Sequence, residues 1–376
     1  MGPSARALVR FLAVQARLDT APRVEIDGAM LRVALAPVAL AGVLLAGCTT
    51  ERIPLPAPFR PALQPKSTAP VFTEEVFEQK PMRAYRIPTP EPGKPPVQTV
   101  IGEIGSHVVR PNETLLDIAR YYDLGMNEIA DANPGVDLWS PKVGTKLVIP
   151  TAWVLPCCSY EGIIVNVPEL RLFYFQRAPG EPGITIVRTY PLGLGRDDRR
   201  TPKGNFSVIG KTVNPTWNIP PRIRQDHIRE LGDPRWSIPG GAPDNPLGKY
   251  RFELSLEPYR IHGTNIPWGI GMLISNGCSR LYPEDVEHLF PMVTIGTKGA
   301  FIYQPVKVGV RDGQVYVEAH ADLYRLGGSM SPNAAATLKS AGMTLQDARV
   351  ASVLKDAQGM PTRVGTVEEP TSAAQL

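Results

Sequence analysis

Apolar residues follow two different periods along this chain, and the change of period divides it into units. After a short strand at His107–Val109, apolar side chains repeat at helical spacing between Leu115 and Tyr122. A second short helix is predicted around Met126–Ala132, and it ends at the breaker Asn133-Pro134-Gly135. A closing strand covers Thr145–Pro150. The pattern predicts a small α+β unit over residues 106–150.

From residue 160 to about residue 305 the pattern changes to short apolar strands separated by Gly/Pro turns. A single helix is predicted, at Pro283–Phe290. Strands at this spacing predict a mostly β domain, either a sandwich or an open barrel. Residues 306–376 are polar and rich in Ala, with two weak helical patterns, and indicate no function.

The segment before the α+β unit is dominated by proline. Residues 53–96 hold 12 of the 40 prolines and show little periodicity. Such a segment buries too little apolar surface to fold alone. We therefore predict an extended spacer over residues 48–105.

An apolar run of 13 residues, Val33–Leu45, precedes Ala46-Gly47-Cys48. It is shorter than the roughly 20 residues that a membrane-spanning helix needs. The run and its small residues resemble a bacterial lipobox, which implies that residues 1–47 are a leader and that Cys48 is lipidated. The alternative is a short buried helix. Residues 1–29 are too long and too acidic for the start of a signal, so translation is predicted to begin at Met30, which a peptide from residues 1–29 would contradict.

The charge balance excludes one class of partner. The formal net charge is +4, and outside residues 1–47 there are 35 basic and 33 acidic side chains. A near-neutral chain lacks the basic surface that nucleic-acid binding requires. No nucleic-acid partner is predicted.

Cysteine and histidine usage argues against metal and disulfide chemistry. Four cysteines, Cys48, Cys157, Cys158 and Cys278, are too few and too irregularly spaced for a disulfide framework or a zinc site. The five histidines are scattered, without a His-Glu-x-x-His motif. We expect no metal and no cofactor, and we interpret Cys157 and Cys158 as non-catalytic.

One pair of residues could carry nucleophilic chemistry. Cys278 follows His262 by sixteen positions, which is enough for the chain to leave one strand and return beside it. A thiol with a pKa near 8.5 needs such a base, because it is mostly protonated at neutral pH. On spacing alone, a small buried cysteine of the core is the better interpretation.

The surrounding residues resemble the YkuD-type L,D-transpeptidase family. The resemblance rests on His262-Gly263-Thr264 followed by Ser275-Asn276-Gly277-Cys278-Ser279-Arg280, and on the segments at 201–206 (TPKGNF), 214–217 (NPTW) and 245–248 (NPLG). Asn276 replaces the family's usual second histidine, and Ser279 replaces an aliphatic residue. The α+β unit resembles a LysM module through NETLLDIARYYDL, NEIADANPGVD and VGTKLVIP.

The resemblance implies a role for each matched residue. Cys278 is the expected nucleophile and His262 its base. Backbone N–H groups of Gly277 and Cys278, together with the Asn276 amide, are candidates for the oxyanion site. Arg280 either binds a substrate carboxylate, orients the loop or forms a structural salt bridge. Ser275, Gly263 and Thr264 are expected either to bind substrate or to orient the loop.

The implied activity is acyl transfer on peptidoglycan. A tetrapeptide stem would form a thioester with Cys278, and an amine of a second stem (a 3→3 cross-link) or of an envelope lipoprotein would accept it. The LysM module would bind glycan strands in the periplasm, and lipid on Cys48 would anchor the chain. Thr49 favours the outer membrane.

Two alternative functions remain open from the sequence, and a third motif is set aside. Water as the acceptor would make it an L,D-carboxypeptidase or hydrolase, and an inert second domain would make it a LysM lipoprotein tether. Ser352-Val353-Leu354-Lys355 matches the Ser-x-x-Lys string of penicillin-type enzymes but lacks its partner motifs, and is interpreted as coincidence.

Overall fold

The computed structural model describes residues 72–77, 80–91, 98–157, 160–327 and 330–367. The predictions for the leader, for Cys48 and for Cys158 lie outside the described residues. The helices are α1 (Leu115–Tyr121), α2 (Met126–Ala132), α3 (Pro221–Leu231), α4 (Pro283–Met292), α5 (Pro332–Ser340) and α6 (Ala348–Asp356).

The strands are distributed over the whole described part of the chain. They are β1 (Phe72–Phe77), β2 (Lys80–Pro88), β3 (Val100–Val108), β4 (Lys146–Val154), β5 (Gly162–Asn166), β6 (Arg171–Arg177), β7 (Ile184–Pro191), β8 (Leu194–Gly195), β9 (Gly204–Val213), β10 (Trp217–Asn218), β11 (Ser237–Ile238), β12 (Tyr250–Leu254), β13 (Arg260–His262), β14 (Leu273–Ser275), β15 (Ser279–Arg280), β16 (Lys298–Ile302), β17 (Val306–Arg311), β18 (Gln314–Ala319) and β19 (Thr362–Thr366).

Ten of these strands form one sheet in the order β1-β2-β7-β6-β5-β16-β9-β12-β13-β15. The pairs β5–β16 and β13–β15 are parallel, and the other neighbours in this sheet are antiparallel. The mostly β architecture predicted after residue 160 is therefore present.

The central strands of this sheet are buried on both faces. Successive side chains of a strand point to opposite faces, and in β5 all five residues are buried. Ile163 and Val165 enter a core that includes Val286 and Leu289 of α4. Ile164, on the other face, belongs to a second core.

The α+β unit covers that second face. The second core combines its Leu115, Ile118 and Trp153 with Phe173 and Phe175 of β6. The strands β3 and β4 pair with each other over their full length, and α1 and α2 connect them. The α+β unit and the sheet therefore share one core.

The spacer prediction for residues 48–105 is wrong for the part that the structure describes after residue 80. Strand β2 pairs with β7, and its Tyr85 and Ile87 are buried in the shared core. Pro81 and Pro88 lie near the two ends of β2, where a missing N–H costs least. The prediction relied on the number of prolines, whereas their positions near the strand ends are compatible with a strand.

One helix, α3, differs from the sequence prediction. Helix α4 corresponds to the predicted helix at residue 283, but α3 was not predicted, because its residues are mostly polar and none is buried. The two weak C-terminal helices are present as α5 and α6. They pack on the sheet β17–β18–β19 around a small core of Val315, Val317, Leu338, Val350 and Val364.

No helix within the described ranges is long and apolar enough to cross a membrane.

Candidate active site

The strand pair β13–β15 brings His262 and Cys278 together. The parallel register aligns Ile261 with Ser279 and His262 with Arg280. Ile261 and Ser279 are fully buried, so strand alternation turns His262, Cys278 and Arg280 to the other side. There they line a cleft of about 510 Å³, a size typical of ligand sites.

A backbone carbonyl determines the tautomer of His262. Its Nδ1 lies 2.7 Å from Gly263 O. Because a carbonyl oxygen can only accept, Nδ1 carries the hydrogen and Nε2 is left as the acceptor. Burial, with a contribution from the positive charge of Arg280, lowers the pKa of His262 to about 3. The imidazole is therefore neutral at pH 7.

Burial also raises the pKa of the Cys278 thiol. The backbone N–H of Arg260 and the charges of Arg260, Arg280 and Arg251 act in the opposite direction and favour the thiolate. In the resting state the thiol of Cys278 and the imidazole of His262 are therefore both neutral.

Ser275 organises the turn that carries Cys278. Its Oγ donates to Cys278 O at 2.6 Å and accepts from the Gly277 N–H at 3.0 Å. Thr201 Oγ1 donates to Gly277 O at 2.9 Å. In this conformation the Gly277 N–H is engaged by Ser275, so its predicted use in the oxyanion site requires that this hydrogen bond be shared or exchanged.

Gly277 also has a conformational role. Its φ is 114°, a region that L side chains rarely adopt, and a Cβ there would lie 2.9 Å from Tyr259 Cε1. Asn276 is exposed, and its Oδ1 accepts from Arg199 and, at 3.4 Å, from Arg196 Nη2. Since both contacts use the amide oxygen, the NH₂ group is the part of Asn276 that can donate to a substrate.

The 245–248 segment supports the backbone that follows His262. Asn245 is buried and its Nδ2 donates to Pro215 O at 2.9 Å. A Cβ on Gly248 would lie 2.8 Å from Thr264 N, and one on Gly263 would lie 3.2 Å from Val286 Cγ1. Thr264 Oγ1 accepts from Ile266 N at 3.0 Å. Gly263 and Thr264 therefore shape the loop by close packing and a local hydrogen bond.

The cleft lining is rich in arginine, although Arg199 and Arg251 pair with acidic side chains outside the lining. The side chains that line the cleft include no carboxylate and five arginines: Arg199, Arg222, Arg251, Arg260 and Arg280. The Arg280 Nε is buried, and neither a hydrogen-bond partner for it nor an ion pair of Arg280 occurs among the described residues. The salt-bridge alternative for Arg280 is therefore not observed in that part of the chain.

Comparison with known proteins gives the same two units. The YkuD model, described as the L,D-transpeptidase catalytic domain, matches residues 161–308, and the LysM domain model matches residues 107–150. "Probable L,D-transpeptidase YcfS" of Escherichia coli (strain K12) is 37% identical over 258 residues, which cover 67% of this chain and 78% of that protein. The chain belongs to the L,D-transpeptidase family.

Two further relatives agree. "Probable L,D-transpeptidase ErfK/SrfK" of Escherichia coli (strain K12) is 36% identical over 64% of this chain and 75% of its own length. The Salmonella typhimurium (strain LT2) protein of the same name is 33% identical over 73% of this chain and 90% of its own length. This L,D-transpeptidase thus combines a mostly β catalytic domain with a preceding LysM domain, and the predicted fold class is confirmed.

Four of the five cleft arginines of this L,D-transpeptidase were missed by sequence reasoning. Arg199 lies in a loop, Arg222 in α3, Arg251 in β12 and Arg260 in β13, and only Arg280 lies in the recognised motif. No local sequence signal joins them, because they come together only in the folded chain.

The remaining candidates lie outside the cleft lining. Cys157 is not among the lining residues, and its backbone N–H donates to Gln304 Oε1 at 3.0 Å. Within the described ranges one group of metal-ligand types occurs, Glu169 with Glu318 and His320. Lys307 Nζ lies 2.7 Å from an oxygen of each glutamate, so an ammonium supplies the positive charge there.

Proposed function

We propose that this L,D-transpeptidase transfers the acyl group of a peptidoglycan tetrapeptide stem through a thioester on Cys278. The main support is the geometry of His262, whose Nδ1–H is held by Gly263 O while the residue shares a cleft with Cys278. In this tautomer Nε2 is the ring nitrogen with a free lone pair, so it is the atom that can accept a proton.

The first half-reaction forms the thioester and breaks a peptide bond. Nε2 of His262 takes the thiol proton as Cys278 Sγ attacks the carbonyl carbon of the third stem residue. The proton then passes from His262 to the nitrogen of the leaving D-Ala. The Arg260 N–H stabilises the negative charge that develops on sulfur before the bond forms.

The second half-reaction transfers the acyl group. An amine attacks the thioester carbon, His262 removes a proton from that amine, and the thiol of Cys278 is restored. The amine belongs to a second stem, which gives a 3→3 cross-link, or to an envelope lipoprotein. Donors for the oxyanion of both steps are the Cys278 N–H and the Asn276 NH₂ group.

The arginine-rich cleft suits an acidic peptide. Peptidoglycan stems carry free carboxylates, and guanidinium groups bind carboxylates with paired hydrogen bonds. The Arg280 Nε, buried and without a partner in the described structure, is the donor we assign to a stem carboxylate.

We assign the rest of the chain to localisation. Residues 1–47 would be a leader, lipid on Cys48 would anchor the protein at the outer membrane, and part of residues 48–105 would span the periplasm. The LysM domain would bind glycan strands.

Carbapenem acylation tests the proposal. The mature protein is incubated with a carbapenem and weighed intact by mass spectrometry. We expect one adduct on the wild type, none on Cys278→Ala, and slow formation on His262→Gln. A folded wild-type protein without an adduct would support the tether instead.

Product analysis then separates the acceptors. A joined product from a tetrapeptide stem indicates transfer, and a shortened stem alone indicates a hydrolase.

A further inference from the structure

The LysM domain contacts the chain that connects His262 to Cys278, here called the His–Cys loop (residues 263–277). The Met126 N–H donates to Ile270 O at 3.0 Å. Met126 begins α2 of the LysM domain, and Ile270 lies midway along the His–Cys loop. A backbone group of the glycan-binding module is thus bonded directly to the loop that leads to the proposed nucleophile.

This contact is made by backbone against backbone. A Cβ on Gly271 would lie 2.2 Å from Met126 N, and a Cβ on Gly125 would lie 2.8 Å from Gly271 Cα. Real Cβ atoms do not approach so closely, so only glycine fits at either position without movement. The position of the His–Cys loop is therefore sensitive to the position of the LysM backbone.

The same loop residues are tied on their other side to the catalytic sheet. The Gly271 N–H donates to Leu192 O at 2.9 Å, and the Leu194 N–H donates to Met272 O at 3.0 Å. Strand β14 follows at once and ends at Ser275, the residue that holds the turn of Cys278. Gly271 is only four residues before Ser275, and β14 occupies most of that interval. A shift of Gly271 is therefore expected to move Ser275.

One buried and one partly exposed ion pair join the LysM domain to the catalytic domain. Arg171 of β6 is fully buried and bonds Glu128 of α2 through Nε at 3.0 Å and Nη2 at 2.7 Å. Arg120 of α1 makes a two-bond contact with Glu284 of α4, at 2.8 and 2.7 Å. Both ion pairs bridge the two domains, so neither could form if the domains separated.

We propose that the LysM domain is a positioning element of the active site. The Gly125–Met126 turn holds Ile270–Gly271, and through them the Ser275–Cys278 turn, in the conformation that attacks the substrate. The inference rests on the proposed function of Cys278 and adds to it. The LysM domain contributes to the rate even on a stem peptide that carries no sugar.

Gly125→Ala in the full mature chain tests this. Gly125 has a φ of −81°, which alanine adopts freely, so the added methyl group acts through contacts alone. With a soluble, sugar-free tetrapeptide and an amine acceptor, we expect kcat to fall about tenfold or more, because an ångström-scale misplacement of reacting groups costs up to about 100-fold. KM for the peptide, the thermal unfolding temperature and co-sedimentation with peptidoglycan should stay near the wild-type values.

Gly105→Ala is the matched control. It makes the same change in β3, where the new Cβ would lie 3.6 Å from Ile149 Cβ and 3.9 Å from Ile149 O, both ordinary contact distances. We expect wild-type kcat for this variant. Equal losses in Gly105→Ala and Gly125→Ala would overturn the proposal, because the effect would then be general destabilisation.

Asn127 needs its own control, because its Oδ1 would lie 2.6 Å from the new methyl group. The double variant Gly125→Ala/Asn127→Ala removes that contact and leaves the one to Gly271. Persistence of the loss, relative to Asn127→Ala alone, supports the proposal, and full recovery contradicts it.

Met126→Pro is a second, independent variant in case Gly125→Ala does not fold. Proline is favoured at the first position of a helix, and here it deletes the N–H that bonds Ile270 O. We expect the same loss of kcat with α2 intact. Wild-type kcat in a folded Gly125→Ala or Met126→Pro protein would overturn the inference while leaving the proposed function standing. An inactive wild type would instead refute the proposed function.

Discussion

At the scale of single residues, the electrostatics of the cleft set how the proposed reaction starts. Burial lowers the pKa of His262 and raises that of Cys278, so neither group is charged at neutral pH. Papain-like thiolate–imidazolium pairs depend on the opposite shifts. Proton transfer is therefore expected to accompany attack instead of preceding it.

The first prediction concerns pH. Alkylation of Cys278 by iodoacetamide, followed by peptide mass spectrometry, should accelerate with pH and reach its plateau only above the usual thiol pKa of about 8.5. Carbapenem acylation should not fall between pH 7.5 and pH 5.5, because His262, with a pKa of about 3, stays neutral over that range. A fall in the acylation rate with a midpoint near pH 6.5 would contradict the assignment of a neutral His262.

The second prediction follows from the same shift in the pKa of His262. The unfolded chain binds a proton near the ordinary histidine pKa of about 6.5, whereas the folded chain does so only near pH 3. The stability contributed by His262 is thus present above pH 6.5 and is lost as pH falls toward 3. In urea unfolding, His262→Gln should lose less free energy of unfolding than the wild type between pH 7 and pH 4.

The third prediction concerns Arg280. Arg280→Gln should raise KM for a stem with free carboxylates about tenfold or more, the loss of a charged hydrogen bond worth about 1.5–3 kcal/mol. With a donor whose carboxylates are amidated, wild type and variant should have similar KM values. An equal increase for both donors would argue for a structural role of Arg280.

At the scale of elements, the sequence predicts best where periodicity and motif coincide. Helix α1 and the sites of His262 and Cys278 are readable because each depends on residues close in the chain. Strand β2 and helix α3 are not, since β2 is flanked by prolines and α3 buries none of its residues. The glycine contact between α2 and the His–Cys loop is not readable either, because it joins distant segments and glycine has no side chain to mark it.

The fourth prediction belongs to the interface between α2 and β6. Glu128→Gln removes one partner of the fully buried Arg171 and should lower the free energy of unfolding by about 3–5 kcal/mol. The double variant Glu128→Leu/Arg171→Met should be more stable than Glu128→Gln, because no unpaired charge remains. Urea denaturation followed by circular dichroism measures both.

At the scale of the whole molecule, the shared core predicts one cooperative unit. Ile164, Phe173 and Val187 of the catalytic domain are buried by the LysM domain and β2. A fragment that begins at residue 160 would expose this surface, although the sequence alone indicates a domain boundary there. This boundary separates the two sequence motifs, but it does not separate two cores. Periodicity within each unit does not show which of its faces packs against the other unit.

The fifth prediction tests this cooperativity. A chain that begins at residue 72 should show a single thermal transition, with the same midpoint by near-ultraviolet circular dichroism and by tryptophan fluorescence. One that begins at residue 160 should be aggregated or bind a hydrophobic dye. A soluble, well-folded fragment from residue 160 would show that the catalytic core does not need the LysM domain.

The backbone contact between Gly125 and Gly271 also limits how such a chain can be recombined. A binding module is usually regarded as a cassette that can be exchanged for another through a linker. Here the boundary between the two domains includes a site where a single methyl group is already too large. A chimera with a foreign LysM domain would therefore gain the glycan affinity of that domain but not its close contact with the His–Cys loop. The two domains are best exchanged together.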